Sequence, residues 1–187
     1  IDGVIHSDQE ADDGLATAVW ADQENTILCS ADKDLLMVPG WKLLNDEIRH
    51  YPDPFGFIEY DDKKKKVVGS GTKFFWAQLL MGDSADNVSG VPMVPGRIWQ
   101  QHAGTKAYKD LHMQWIAATD PEVAAKIAER LTKLEVPKNC GPKMAYDLLK
   151  DLKSDKDCWE LVRNCYVELQ DTHGYEYAHW SSGDLRT

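Results

Sequence analysis

The run Thr26-Ile27-Leu28-Cys29-Ser30-Ala31 constrains the fold more than any other stretch of this 187-residue chain. It is short and nearly continuous in apolar side chains, the pattern of a buried parallel strand, and it runs directly into Asp32-Lys33-Asp34. Before it, Gln9 to Gln23 reads as a helix. Leu15, Val19 and Trp20 supply its apolar stripe, and acids fill its first turn, where the helix dipole favours negative charge. A helix, a strand and an acidic strand end form the core of an α/β domain. In open α/β sheets, ligands bind at that edge.

Further along, Trp41 to Tyr60 is irregular, with Pro52, Pro54 and Gly56 punctuating short β-like pieces. Phe57-Ile58-Glu59-Tyr60 and Lys66-Val67-Val68 pair as a hairpin across a turn at Asp61-Asp62, and Lys63 to Lys66 form its solvated tip. Thr72 is placed to cap a helix from Lys73 to Met81, whose Phe74, Phe75, Ala77, Gln78, Leu79 and Leu80 pack on the sheet before Gly82 ends it. From Pro95 the pattern turns helical, with amphipathic segments at Pro121 to Leu134, Pro142 to Leu152 and Asp155 to Leu169. The chain therefore divides into residues 1–86, an α/β part, and residues 87–187, a helical part whose tail from Asp171 matches no element pattern.

Composition narrows the function classes. With 43% apolar and 28% charged residues the chain is an ordinary globular one, and no apolar run approaches membrane-spanning length. It opens on Ile1-Asp2-Gly3-Val4, which reads as an interior strand or loop, so a fragment is expected. A net charge of −10 argues against indiscriminate nucleic-acid binding through bulk charge. Cys29, Cys140, Cys158 and Cys165 show no CxxC spacing, and the six histidines show no HxxxH or HExxH pattern, so reduced thiols in the cytoplasm are expected rather than a zinc site.

Three carboxylate clusters carry the chemistry: Glu10-Ala11-Asp12-Asp13, Asp32-Lys33-Asp34 and Asp83-Ser84-Ala85-Asp86-Asn87. Carboxylates this dense repel one another unless cations sit between them, and oxygen-rich sites suit magnesium or manganese. Two such ions clamp the attacking and leaving oxygens of a phosphodiester. Glu10 and Asp12 converge only at a frayed helix start, whereas Asp83 and Asp86 have helical-turn spacing. Each cluster alone also has an ordinary explanation. The first fits helix-terminal acids, Asp32 a cap on a following short helix, and Asp83 a turn former.

Glu10-Ala-Asp-Asp13, Ser30-Ala-Asp-Lys-Asp34 and Gly82-Asp-Ser-Ala-Asp-Asn-Val-Ser-Gly-Val-Pro92 resemble the motifs of the 5′ nuclease family. That family includes flap endonucleases, the 5′→3′ exonuclease domain of bacterial DNA polymerase I and bacteriophage 5′ exonucleases. The resemblance covers Gln9 to Val94 well and the remainder loosely, and compactness suggests a phage-type member. It implies a PIN-like parallel sheet flanked by helices, followed by a helix–hairpin–helix-type DNA-binding region. It implies two magnesium or manganese ions held by Glu10, Asp12, Asp32, Asp34, Asp83 and Asp86, with Asp32, Asp34 and Asp83 catalytic and Asp13 in a supporting role. The implied reaction is hydrolysis of DNA phosphodiesters to leave 5′-phosphates, at flaps, nicks or ends, and on RNA–DNA hybrids. The implied setting is the cytoplasm, or the host cytoplasm for a phage protein, with a replication polymerase as partner and no membrane.

The resemblance also implies backbone contacts to DNA from Gly90, Val91 and Gly96, then Lys138, Gly141 and Lys143, with a potassium ion at the hairpin. Here the second half of that element, Gly141-Pro142-Lys143-Met144-Ala145, lies far downstream. Either Arg97 to Cys140 is an insertion or the hairpin is rebuilt around Val136 to Lys143, and Gly104-Thr105-Lys106-Ala107 competes for the same role. The bland alternative is that Gly141-Pro142 simply starts a helix. The family's first strand, with its metal-binding aspartate, has no counterpart, nor do the basic residues ahead of the Glu10 motif; nothing around Asp2 or Asp8 matches them. A truncated chain, half of a split enzyme and an inactive relative all fit that gap. Against the nuclease stand a non-catalytic module for branched or duplex DNA and a PIN-like ribonuclease, the latter having no reason to carry the long third motif.

Overall fold

The computed structural model describes residues 10–83 and 87–173. Asp2, Asp8, Gln9, Asp86 and the tail beyond residue 173 lie outside the described residues. The chain is α/β, with small sheets and seven helices among the described residues.

The first helix, α1 (Ala11–Ala21), buries Val19, with Ala16 beside it, against Leu28, Leu35 and Val38. The expected stripe is narrower than predicted, because Leu15 and Trp20 are 42% and 52% exposed. A helix covered along one ridge buries one row of side chains. Strand β1 (Ile27–Cys29) pairs in parallel with β2 (Gly40–Leu44), which pairs antiparallel with β3 (Glu47–Tyr51). A short 3₁₀ turn, Asp34–Met37, links β1 to β2.

Two expectations are corrected here. Segment 41–60 is not irregular at its start, since β2 and β3 form a hairpin. Its turn residues, Asn45 and Asp46, both take positive φ (50° and 65°), as a tight two-residue hairpin turn requires. Nor is β1 buried on both faces. The register sets Ile27, Trp41 and His50 in one row and Cys29, Leu43 and Ile48 in the next. All six are exposed, with the Trp41 and His50 rings stacked 4.2 Å apart.

On the other face, Lys42 is buried, and its ammonium donates to the carbonyls of Leu35 (2.8 Å) and Val38. A buried cation needs such partners. Those two bonds tie the 3₁₀ turn to β2, and burial lowers the Lys42 pKa to about 8.

Strands β4 (Phe57–Asp61) and β5 (Lys66–Ser70) form the expected hairpin. Helix α2 (Gly71–Met81) follows without a break. Thr72 does not cap it. The N–H groups of Thr72 and Lys73 donate to the carbonyls of Pro54 and Phe55, each at 2.9 Å. Backbone acceptors from the preceding loop thus satisfy donors that a side chain would otherwise take. Among the described residues, α2 packs most extensively within the largest core. Its Phe74, Ala77 and Leu80 meet Ile58 and Val67 from the hairpin, and Leu148 and Val162 from the C-terminal helices also belong to that core. The core therefore draws on both sides of residue 87.

Beyond the third motif, β6 (Met93–Val94) leads into α3 (Gly96–Ala103), α4 (Lys106–Ala117) and α5 (Pro121–Leu134). The Thr105 hydroxyl caps α4 and the Asp120 carboxylate caps α5, while Tyr108, Leu111 and Leu131 make a small core between them. The chain returns as β7 (Lys138–Asn139), antiparallel to β6, and continues into α6 (Pro142–Leu149) and α7 (Asp155–His173). Helix α6 stops three residues before the expected Leu152. There the buried Lys73 ammonium takes the carbonyls of Lys150 (3.0 Å) and Leu152 (2.8 Å). Among the described residues no helix is long and apolar enough to cross a membrane.

Candidate functional site

Asp32 and Asp34 stand where β1 gives way to the 3₁₀ turn. The Ser30 hydroxyl accepts the Asp32 N–H (3.1 Å), and Asp32 Oδ1 accepts the Asp34 N–H (2.9 Å). Asp32 thus closes an Asx turn just ahead of the short helix rather than capping it, since the N-cap is Lys33 and carries no side-chain capping bond. The bend turns Asp34 towards α2, where its Oδ1 accepts a 2.7 Å hydrogen bond from Gln78 Nε2. The buried Leu35, next in sequence, anchors the bend in the α1–β1 core.

Asp83 arrives from the other side. Helix α2 ends at Gly82, with φ at 72°. Asp83 and Val88 then exchange both backbone hydrogen bonds, at 2.9 and 2.8 Å. Gly90 lies under the end of α2: a Cβ there would sit 2.3 Å from Gly82 N and 2.5 Å from Leu80 O. Only a residue without a side chain permits that approach, and the Val91 N–H donates to Leu80 O at 2.9 Å. Glycines and a backbone bridge therefore fix where the Asp83 carboxylate points.

The two clusters meet. Asp34 and Asp83 line one cavity of about 160 Å³ with Gln78, walled by Met37, Phe75 and Leu79. Lys33 donates to Asp83 Oδ2, and its Nζ is 3.9 Å from Asp34 Oδ1. The Asp83 side chain is 14% exposed and that of Lys33 45% exposed, so the lysine reaches inward from the rim to a carboxylate set inside it. Gln78 Oε1 is buried and has no hydrogen-bond partner among the described residues. A buried acceptor left unsatisfied in this way is unusual. Gln78 lines the cavity with the two carboxylates, and oxygen donors of this hard kind are those that suit magnesium or manganese rather than softer metals.

The first cluster is not joined to the other two by any hydrogen bond or ion pair among the described residues. Glu10 is exposed at the N-cap of α1, where its side chain makes no capping bond, and Asp12 Oδ1 accepts the Asp13 N–H (3.1 Å). Among the described residues, no three histidine, cysteine, aspartate or glutamate side chains are grouped to hold a metal ion; Asp86 lies outside them.

The expected DNA-contacting residues divide. Val91 is 2% exposed and spends its N–H on Leu80, so that donor is used inside the protein. Gly96 is buried, and a Cβ there would lie 1.9 Å from Glu135 O, so its lack of a side chain lets α3 touch the end of α5. Lys138 Nζ sits 3.7 Å from the centre of the Trp99 ring, and Lys143 pairs with Asp147 at 3.0 Å. Gly141, at the N-cap of α6, has open space where a side chain would be. The pairing of β6 with β7, supported by the Cys140 N–H bonded to Pro92 O (3.2 Å), places the Gly90 and Gly141 segments side by side. Residues 96–137 thus form a helical excursion between two adjoining strands, and the Gly104 segment is the turn before a Thr-capped helix.

Two residues of the site, Lys33 and Gln78, are not singled out by the sequence motifs. Lys33 stands in plain view between two aspartates. Gln78 is grouped there with its apolar neighbours, although it is the one polar residue between Phe74 and Met81, which is itself a signal. No protein-family model matches this chain, and no solved structure matches it.

Proposed function

We propose that the chain carries a divalent-metal phosphodiesterase site of the 5′ nuclease kind, on a PIN-like α/β scaffold, acting on DNA at flaps, nicks or ends. The observation that carries this reading is the meeting of Asp34 and Asp83 in one cavity beside the unsatisfied Gln78 Oε1. These two aspartates, far apart in sequence, are held there by a helix end, a turn and a backbone bridge. On this reading Asp34, Asp83 and Gln78 hold an ion. Asp86 belongs to the same set, Glu10, Asp12 and Asp32 serve a second ion, and Asp32 lies between the two.

A divalent cation bound among these carboxylates supplies Lewis-acid stabilisation of charge developing on phosphate oxygens. The chain's own residues orient and shield. Gln78 fixes the Asp34 carboxylate through its amide N–H, and the Asp83–Val88 bridge fixes Asp83. Met37, Phe75 and Leu79 thin the water around both, which strengthens every charge interaction inside. At the rim, Lys33 balances Asp83 and stands where a phosphate would enter.

The test is cleavage of an end-labelled 5′-flap duplex, in magnesium or in EDTA, beside Asp34→Ala and Asp83→Ala. Magnesium-dependent product that disappears in both variants supports the reading. Folded protein that yields no product under any condition overturns it. The Lys33–Asp83 pair favours a second reading, a non-catalytic module for branched or duplex DNA, because it neutralises the carboxylate without an ion. That module would bind the same substrate without turnover, and Asp83→Ala would leave binding unchanged or tighter.

A further inference from the structure

We infer that the β4–β5 hairpin tip, Lys63 to Lys66, is a docking surface for the phosphate backbone of the nucleic acid whose strand enters the Asp34–Asp83 cavity. This rests on the reading of the cavity as a phosphodiesterase site and extends it to how substrate is held.

The sequence alone makes the tip an ordinary solvated turn; its placement argues otherwise. Lys66 lines a cavity of about 300 Å³ together with Lys33, Phe74, Gln78, Asp83 and Pro142. One wall of that cavity is the acidic centre, another is the base of the lysine tip, and a third is the start of α6. Lys66 also borders a second hollow of about 710 Å³ that contains Arg49. A strand leaving the carboxylates therefore passes Lys33 and then Lys66 before it meets Lys63 to Lys65.

The backbone that carries the tip lysines is held in one conformation. Asp61 Oδ1 accepts the N–H groups of both Lys63 (2.9 Å) and Lys64 (3.0 Å), and Lys65 takes a positive φ of 53° to close the turn. Those backbone bonds keep the Asp61 carboxyl below its ordinary range. Below the tip, Ile58 and Val67 are buried in the main core, so the hairpin cannot swing away. All four lysines are exposed. Lys65 is near Asp62 at 3.5 Å, and Asp61 attracts Lys64 and Lys66 from beyond ion-pair distance, so no carboxylate among the described residues neutralises Lys63, Lys64 or Lys66 by direct contact.

Overall charge makes such a patch necessary. With 31 acidic against 21 basic residues, the protein as a whole repels a polyanion. Phosphates must be held where cations are concentrated, and four consecutive lysines, the last of which lines the cavity, supply that concentration.

The experiment measures binding of a fluorescein-labelled 5′-flap duplex to the full chain in EDTA, across a salt series, so no turnover is involved. Each phosphate that is no longer neutralised should lower the slope of log K against log salt by about 0.9. Lys63→Gln, Lys64→Gln and Lys65→Gln together should therefore lower it by about 2 to 3 and weaken binding more than tenfold at about 0.1 M salt. The matched control neutralises exposed cations elsewhere, with Lys126→Gln, Arg130→Gln and Lys133→Gln together on α5, and should change the slope by less than about 1. Equal weakening in the two variants, or none in the tip variant, overturns the inference, as does wild-type protein that does not bind the duplex. A tip variant that stops binding anionic phospholipid vesicles but keeps DNA binding also overturns it, in favour of a membrane surface. Magnesium-dependent cleavage, assayed separately, decides the underlying reading, so the two can fail independently.

Discussion

Replacing Gly90 with alanine should loosen the loop that aims Asp83, and the structure sets the size of the effect. The new Cβ would lie 2.3 to 2.5 Å from backbone atoms of Leu80, Met81 and Gly82. Ordinary contact begins near 3.4 Å, so the segment must retreat by about 1 Å from rigid main chain. That shift opens the 2.9 Å bond from Val91 N–H to Leu80 O and pulls on the Asp83–Val88 bridge. Overpacking of this kind costs about 1 to 3 kcal/mol, and the broken hydrogen bond adds about 1 kcal/mol. Gly90→Ala should then destabilise the chain by about 2 to 4 kcal/mol, lowering the urea midpoint by about 1 to 2 M for a denaturant slope near 2 kcal/mol/M. The comparison is Gly141→Ala, where a Cβ meets open space and the destabilisation should stay under about 1 kcal/mol. Equilibrium urea unfolding followed by tryptophan fluorescence measures both. If Gly90→Ala costs no more than Gly141→Ala, the close packing described for the third motif is wrong.

Three further outcomes are expected. The folded pKa of Lys42, about 8, lies below its ordinary value of 10.5, so the unfolded chain holds more protons between those limits and stability rises with pH across that window. Relative to Lys42→Met, the wild-type chain should gain on the order of 3 kcal/mol between pH 8 and 10.5; parallel urea-unfolding profiles for the two would refute this. Leu149→Ala, in the core shared across residue 87, should cost about 2 to 5 kcal/mol and shift fluorescence and circular-dichroism transitions together; two separated transitions would show that the halves unfold independently. Cys29 is exposed, whereas burial pushes the Cys158 thiol up to about 11 and the Cys140 thiol up to about 12 and leaves Cys165 fully covered. A thiol reagent at pH 8 should label one cysteine quickly and the other three only after unfolding.

The parts legible in the sequence are those with strong period or strong punctuation. The β4–β5 hairpin and helices α5 and α7 follow from alternation, proline starts and apolar stripes. Strands β2 and β3 are hidden because β2 carries a lysine at its most buried position and β3 is mostly polar and exposed. Their one clear sign is the Asn45-Asp46 pair, suited to a turn with two positive φ values. The start of α2 is hard to place because its N–H groups are satisfied by carbonyls of residues 54 and 55, a tertiary arrangement that sequence does not announce. At the site, Asp34 and Asp83 are legible as carboxylates at element ends. The roles of Gln78 and Lys33 are harder to read, because they exist only once α2 packs against the 3₁₀ turn that follows β1.

The bare face of the first sheet bears on how the protein behaves at high concentration. Ile27, Trp41, Leu43 and Ile48 present a continuous apolar surface, from 36% to 56% exposed. A charge of −10 keeps copies apart in dilute buffer. Sulfate or phosphate at high concentration screens that repulsion and strengthens apolar association at the same time. Precipitation by such salts should therefore begin on this sheet, and a charged residue in place of Ile48 should raise the salt concentration the chain tolerates.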